Sequence, residues 1–218
     1  MISKDCKEMG MTIPSQKVVR ALDNLPGRPM DCVYDASTGR YLEPVNLPSR
    51  PLKLRLLGWT IGMFSRSKVA ILDTGMLANH PRLRKKIVGA VDFTGEGPED
   101  LNGHGTAVAL VLLASSFVPT KLLNVKVLDK DKVGTKEDLI AGMRWAEKFG
   151  VDMINLSLGI LQDCDGTCDV CQVANRIART GVIICAAAGN EGLTCPARAD
   201  GVLAAGGSPT VIFAPINR

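Results

Sequence analysis

A helix followed directly by a strand is predicted by the stretch Thr135-Lys-Glu-Asp-Leu-Ile-Ala-Gly-Met-Arg-Trp-Ala-Glu-Lys-Phe-Gly-Val-Asp-Met-Ile154. Thr135 and Asp138 have the spacing of a helix-capping pair, in which a side chain at the first position bonds the backbone three residues later. Gly150 can adopt the left-handed turn that ends a helix, and an apolar run of strand length follows it. Apolar residues also recur at helical spacing and predict one buried face, formed by Leu139, Met143, Ala146 and Phe149.

The same order of helix, glycine and strand recurs later in the chain. Val170–Thr180 carries an apolar helical face, Gly181 follows it, and the next residues read Val-Ile-Ile. Because helices that alternate with short buried strands build parallel sheets with right-handed crossovers, we predict a doubly wound α/β layer fold. The apolar runs of strand length are Val69–Leu72, Ile87–Val91, Leu122–Leu128, Val151–Ile154, Val182–Ala187 and Val202–Ala205.

Composition and charge divide the chain into two parts. The 218 residues are 46% hydrophobic and 22% charged, which is typical of a globular protein. The net charge of +4 comes from residues 1–66, which hold ten Lys and Arg against six Asp and Glu, and six of the twelve prolines. We predict an N-terminal basic, proline-rich segment over residues 1–66, a pro-region or extension with a short helix at Gln16–Leu25, and a main domain over residues 67–218.

Several partner classes are not expected. The basic residues form no dense run and are not interleaved with aromatics, so we expect no nucleic-acid partner. No apolar run reaches the length of a membrane span, and Met1–Pro14 contains no apolar core of a signal peptide. We therefore expect no membrane partner and favour the cytoplasm. No Gly-rich phosphate loop joins the first predicted strand to a helix, which argues against a nucleotide-binding domain.

Polar side chains follow several of the predicted strands. Asp73, Ser157 and Asn190 each come after an apolar run, and side chains at the carboxyl ends of parallel strands converge on a shared crevice. Of the two histidines, His104 lies between glycines that allow close approach to a partner, whereas His80 precedes a proline in an extended loop. A carboxylate, an imidazole and a carboxamide are the groups that orient a base and stabilise an oxyanion in nucleophilic catalysis.

Five segments follow one another along the chain: Asp73-Thr-Gly75, His104-Gly-Thr106, Lys126-Val-Leu128, Asp152–Gly159 and Ala186-Ala-Ala-Gly-Asn190. Their order resembles that of the subtilisin-like serine proteases, the subtilases. Such a resemblance implies a three-layer α/β fold and a serine-type endopeptidase that hydrolyses peptide bonds with an Asp-His-Ser triad. It implies that Asp73 orients His104, that His104 is the general base, and that Asn190 stabilises the oxyanion. The implied substrate is a polypeptide, the implied chemistry needs no cofactor, and the implied lining of the substrate cleft is Ser157, Leu158 and Gly159.

The nucleophilic serine is the member of the triad that these segments do not supply. In the family it lies in a Gly-Thr-Ser turn after the strand that Val202–Gly207 resembles, and this sequence contains no such turn. We interpret Ser208, which a proline follows, as a turn residue. We therefore expect a partial, C-terminally truncated peptidase domain whose serine belongs to a missing C-terminal segment. The alternative is a catalytically inactive subtilase-fold protein that binds peptides or a partner protein.

A group of cysteines lies in two loops that the resemblance places at one rim of the substrate cleft. Four thiols there could bind a structural zinc ion, form two disulfides or stay reduced, and the sequence leaves these alternatives open. The calcium loop of many subtilases has no counterpart, because residues 117–124 offer no carboxylate, so we expect no calcium site. The cysteines, four of the seven in the chain, are Cys164, Cys168, Cys171 and Cys195.

Overall fold

The computed structural model describes residues 19–21, 67–116, 118–160, 164–189 and 193–205. None of the helices in these ranges is long and apolar enough to cross a bilayer. The elements in chain order are β1 (Val19–Ala21), β2 (Ser67–Asp73), β3 (Ile87–Asp92), α1 (His104–Ser115), β4 (Thr120–Lys126), β5 (Val133–Gly134), α2 (Lys136–Phe149), β6 (Met153–Leu156), β7 (Leu158–Ile160), α3 (Asp169–Ala178), β8 (Ile183–Ala187) and β9 (Val202–Ala205).

A six-stranded sheet forms the centre of the fold, with the strand order β3-β4-β2-β6-β8-β9. Every neighbouring pair in it is parallel, which confirms the predicted doubly wound α/β fold. After β2 the chain fills one side of the sheet with β3 and β4, and then the other side with β6, β8 and β9. The carboxyl ends of β2 and β6 therefore border the point where the strand order reverses, which is where open α/β sheets bind ligands.

Helices cover both faces of this sheet. Successive side chains of a strand point to opposite faces. On β2, Val69 and Ile71 pack with α1 in one buried cluster, whereas Ala70 and Leu72 pack with α2 and α3 in another. The sheet thus lies between two helical layers, as the predicted three-layer architecture requires.

The termini of α2 follow the capping residues in its sequence. The Thr135 hydroxyl accepts a hydrogen bond from the Asp138 backbone N–H at 3.1 Å and donates to the Asp138 carboxylate at 2.6 Å. Gly150 ends the helix with a φ of 76°. The predicted apolar face is buried at Leu139, Met143 and Ala146. The prediction was wrong for its last member, because Phe149 is 40% exposed and packs its ring against Trp145.

A second, antiparallel sheet has the order β5-β1-β7. Arg20 of β1 lies opposite Val133 on one side and Gly159 on the other. The short helix expected at Gln16–Leu25 was therefore wrong at its centre, because Val19–Ala21 is a strand whose partners lie more than a hundred residues away.

Candidate active site

Asp73 and His104 meet at the carboxyl edge of the main sheet. Asp73 is the last residue of the central strand β2, and His104 is the first residue of α1. The Nδ1 atom of His104 lies 2.7 Å from Oδ1 of Asp73, and their side chains are only 11% and 1% exposed. Because a carboxylate can only accept, it favours the tautomer that carries hydrogen on Nδ1 and leaves Nε2 as the base. This arrangement can orient an imidazole for proton transfer.

Two glycines allow α1 to begin directly beside the end of β2. A Cβ added to Gly105 would overlap the carbonyl oxygen of Gly75 and lie 3.1 Å from Cβ of Asp73. Gly75 itself has a φ of 107°, which an L side chain rarely adopts, and an added Cβ would lie 2.7 Å from the Pro98 carbonyl oxygen. The short separation of Asp73 and His104 therefore depends on backbones that touch without intervening side chains.

Asp100 is a buried carboxylate that the sequence analysis missed. Its Oδ1 accepts hydrogen bonds from the Thr74 hydroxyl and from the backbone N–H groups of Asn102 and Gly103, at 2.7–3.0 Å. Its Oδ2 accepts from the backbone N–H of Thr106 at 2.8 Å and from the hydroxyl of the same residue at 2.6 Å. Asp100 thus ties the residue after Asp73 to the first turn of α1. An Asp that can turn back onto the N–H groups two and three residues later was the available signal.

The sequence-predicted cleft residues lie beside the same edge. Ser157 follows β6, is 5% exposed, and accepts a hydrogen bond on its Oγ from the Asn155 side chain at 3.0 Å. Leu158 and Gly159 begin β7, whose backbone pairs with β1. The strands β7 and β5 therefore hold an extended segment of chain between them. Two residues of interest, Asn190 and Ser208, lie outside the described residues.

The four cysteines predicted to act together form a compact cluster, which we call the four-cysteine cluster. Its members are all free thiols, and their sulfur atoms lie within 4.8 Å of one another. The Sγ of Cys195 lies 3.2 Å from those of Cys168 and Cys171, and the sulfurs of Cys164 and Cys171 are 3.7 Å apart. Four mutually adjacent sulfur atoms of this kind could hold a metal ion.

Hydrogen bonding within the cluster makes its thiols unequal. Hydrogen bonding with Cys195 lowers the pKa of Cys171 to about 6 against the opposing effect of burial, and contacts with Cys164 and Cys168 lower it further. The same interaction, together with burial, raises the pKa of Cys195, and burial raises the pKa of Cys168. Cys171 is therefore more readily deprotonated than Cys168 or Cys195, and the thiolate is the form that binds metals.

Comparisons with known proteins identify the family of this chain. The profile of the Subtilase family matches residues 65–210. Thermitase of Thermoactinomyces vulgaris is 36% identical over 149 residues, covering 63% of this chain and 52% of its own. Subtilisin DY of Bacillus licheniformis is 35% identical over 156 residues, covering 64% and 55%. The major intracellular serine protease of Bacillus subtilis strain 168 is 35% identical over 172 residues, covering 68% and 53%. The chain spans about half the length of these curated relatives. It belongs to the subtilase family.

Proposed function

We propose that this protein is a subtilisin-like serine endopeptidase in which Asp73 and His104 act with a serine outside the described residues. The observation that carries the proposal is the buried 2.7 Å contact between Nδ1 of His104 and Oδ1 of Asp73 at the carboxyl edge of the sheet. Membership of the family supports the same reading.

The proposed chemistry is acyl transfer. Asp73 holds the Nδ1 proton of His104, and Nε2 removes the proton of the serine hydroxyl. The serine oxygen bonds to the peptide carbonyl carbon, and an electron pair moves onto the carbonyl oxygen, where the Asn190 carboxamide donates a hydrogen bond. His104 then returns the proton to the leaving amine as the carbon–nitrogen bond breaks. A water molecule repeats the sequence on the ester and releases the acid.

The proposed substrate is an extended polypeptide that pairs with β7 and β5. Its backbone would add a strand to an exposed sheet edge, a mode in which main-chain hydrogen bonds supply affinity without demanding a particular sequence. Val19–Ala21 supports this proposal, because this segment of the chain runs antiparallel between the same two strands. We propose accordingly that residues 1–66 are a pro-region or extension that holds this position before a substrate does.

The four-cysteine cluster has no part in the proposed acyl transfer. A metal bound by four protein thiolates has no open position for water or substrate, so we propose that a metal here is structural. Its candidate identity is zinc, since thiolate ligands select soft and borderline metals.

Labelling with a fluorophosphonate tests the proposed function, because this reagent phosphonylates a serine that a neighbouring base has activated and releases fluoride. In the full-length gene product we expect one labelled serine, which mass spectrometry of the digested protein locates. Asp73→Asn should slow labelling by about 10⁴-fold, because the amide would favour the wrong tautomer of His104. His104→Ala should lower it at least as far, whereas His80→Gln, the matched change at the other histidine, should not.

One result of the labelling experiment would contradict the proposed function. A folded protein that binds an extended peptide but labels at no serine, or labels equally with His104→Ala, would favour the inactive subtilase-fold alternative.

A further inference from the structure

We propose that the four-cysteine cluster is a structural zinc centre that fixes β7, one wall of the cleft, in place. The metal site stands on the cysteine geometry alone, whereas its effect on peptide binding rests on the proposed function.

The sulfur positions fit a tetrahedral ion. A zinc–sulfur bond of about 2.3 Å places the corners of a regular tetrahedron about 3.8 Å apart. Three sulfur pairs of the cluster are 3.2, 3.2 and 3.7 Å apart, and all its sulfur atoms lie within 4.8 Å of one another. Small side-chain rotations that move each sulfur atom by a few tenths of an ångström would therefore bring four sulfur atoms to the corners.

The same distances argue against two disulfides. A disulfide joins two sulfur atoms at about 2.05 Å and excludes others. Cys195 instead lies at the same 3.2 Å from Cys168 and from Cys171, so the cluster does not divide into two pairs. A shared central ion accounts for a sulfur atom with two equal neighbours.

Groups around the cluster suit anionic sulfur. The backbone N–H of Gly166 donates to the Sγ of Cys164 at 3.3 Å, as the amides around structural metal sites do. Cys168 is the N-cap of α3 and Cys171 lies in its first turn, where the helix dipole favours negative charge. Two cations, Arg198 and Lys136, border the cavities that the cluster lines, but Asp165 and Asp169 border the same cavities. These side chains balance one another, so the charge of four thiolates is left for a bound cation to offset.

The cluster is joined to β7 through the backbone. The N–H of Ile160, the last residue of β7, donates to the carbonyl oxygen of Cys195 at 2.8 Å, and the two residues form an isolated antiparallel bridge. Cys195 is anchored on its other side by its sulfur contacts with α3. An ion bound by the cluster would therefore join α3, the loop at Cys164 and the end of β7 into one rigid unit.

Metal content and hydrogen exchange test the two halves of this proposal separately. Elemental analysis of the full-length protein should find about one zinc per chain. Replacing zinc with Co²⁺ should give the intense sulfur-to-cobalt charge-transfer absorption of a tetrahedral thiolate site. Cys164→Ser, at a half-buried position, should lose the metal, whereas Cys185→Ser on β8 is the matched control outside the cluster and should retain it.

Hydrogen exchange measures how firmly the metal fixes β7. Removing zinc with a chelator should speed exchange in peptides that cover Leu158–Ile160 by about tenfold or more, and leave Ser67–Asp73 unchanged. If a protein with full zinc occupancy shows the same exchange rate in β7 before and after zinc is removed, the proposal that zinc fixes β7 is wrong. Iron in place of zinc, two disulfides by mass, or four free thiols without metal would each overturn the zinc centre. Failure of serine labelling would leave both measurements unaffected, so the proposed function and this inference can fail independently.

Discussion

Asp100→Asn removes the carboxylate that ties Thr74 to the beginning of α1. Oδ1 of Asp100 accepts three hydrogen bonds and Oδ2 accepts two, all at 3.0 Å or less. An amide has one oxygen, so its NH₂ group must face donors on one side. On the Oδ2 side it would face the backbone N–H of Thr106, which cannot rotate away. A lost hydrogen bond to a charged group costs about 1.5–3 kcal/mol, and the buried unpaired donor adds about 1 kcal/mol.

We therefore expect Asp100→Asn to lower the free energy of unfolding by about 3 kcal/mol, measured by urea denaturation of the full-length protein at pH 7. Asp131→Asn is the matched control, because Asp131 is exposed, and it should change stability by less than about 0.5 kcal/mol. The folded fraction of Asp100→Asn should also label more slowly with the fluorophosphonate, since the approach of His104 to Asp73 depends on the same connection. A stability loss below about 1 kcal/mol would refute the reasoning, because the five hydrogen bonds would then carry little of the local structure.

Two further changes test the site and the pH dependence of the fold. Gly105→Ala should destabilise the protein by about 3 kcal/mol, because the new Cβ would overlap a backbone oxygen. In the control Gly89→Ala, the new Cβ meets only the side chains of Phe149 and Trp145, so the change should cost less than about 1 kcal/mol; equal effects in thermal unfolding would contradict this. Burial alone would raise the pKa of Asp92, but hydrogen bonds from Thr94 and the glycine amides beyond it outweigh burial and lower the pKa below 3.8. The ionised carboxylate therefore adds stability above pH 3.8 that is lost as the pH falls through the lower folded value, and Asp92→Asn should reduce this acid sensitivity; an unchanged pH profile of unfolding would count against it.

The parts of the fold that sequence predicted are those that local patterns control. The run Val202–Ala205 is a strand with the same bounds, and α2 has the predicted cap at Thr135 and the predicted glycine end. Short apolar runs between turn residues leave few alternatives to a buried strand, so the parallel sheet followed from their spacing. The pairing of Asp73 with His104 was suggested by the family resemblance and by glycines that permit close approach.

The parts that sequence missed depend on distant residues. Local pattern favoured a helix around Val19–Ala21, but the partners of this strand come from β5 and β7, far along the chain. Phe149 fitted the apolar face of α2, yet it is the last residue of the helix, where its side chain remains 40% exposed. The ammonium group of the fully buried Lys126 lies 3.1 Å from the Glu96 carboxylate, in a loop thirty residues earlier, and no local pattern could reveal that partner.

The position of the Asp73 and His104 pair near the start of the main domain bears on the order in which the protein assembles. Both residues, and the strands β3 and β4 that flank β2 on one side, lie within residues 67–126. During translation this portion leaves the ribosome before β6, β8 and the four cysteines have been synthesised, but a domain generally folds as a unit. β6 pairs with β2, and α2 covers one face of β2, so the buried contact between Asp73 and His104 should become stable only after α2 and β6 have been added. Under the proposed function, the proton-transfer pair and the peptide-binding strand β7 would therefore come into place together.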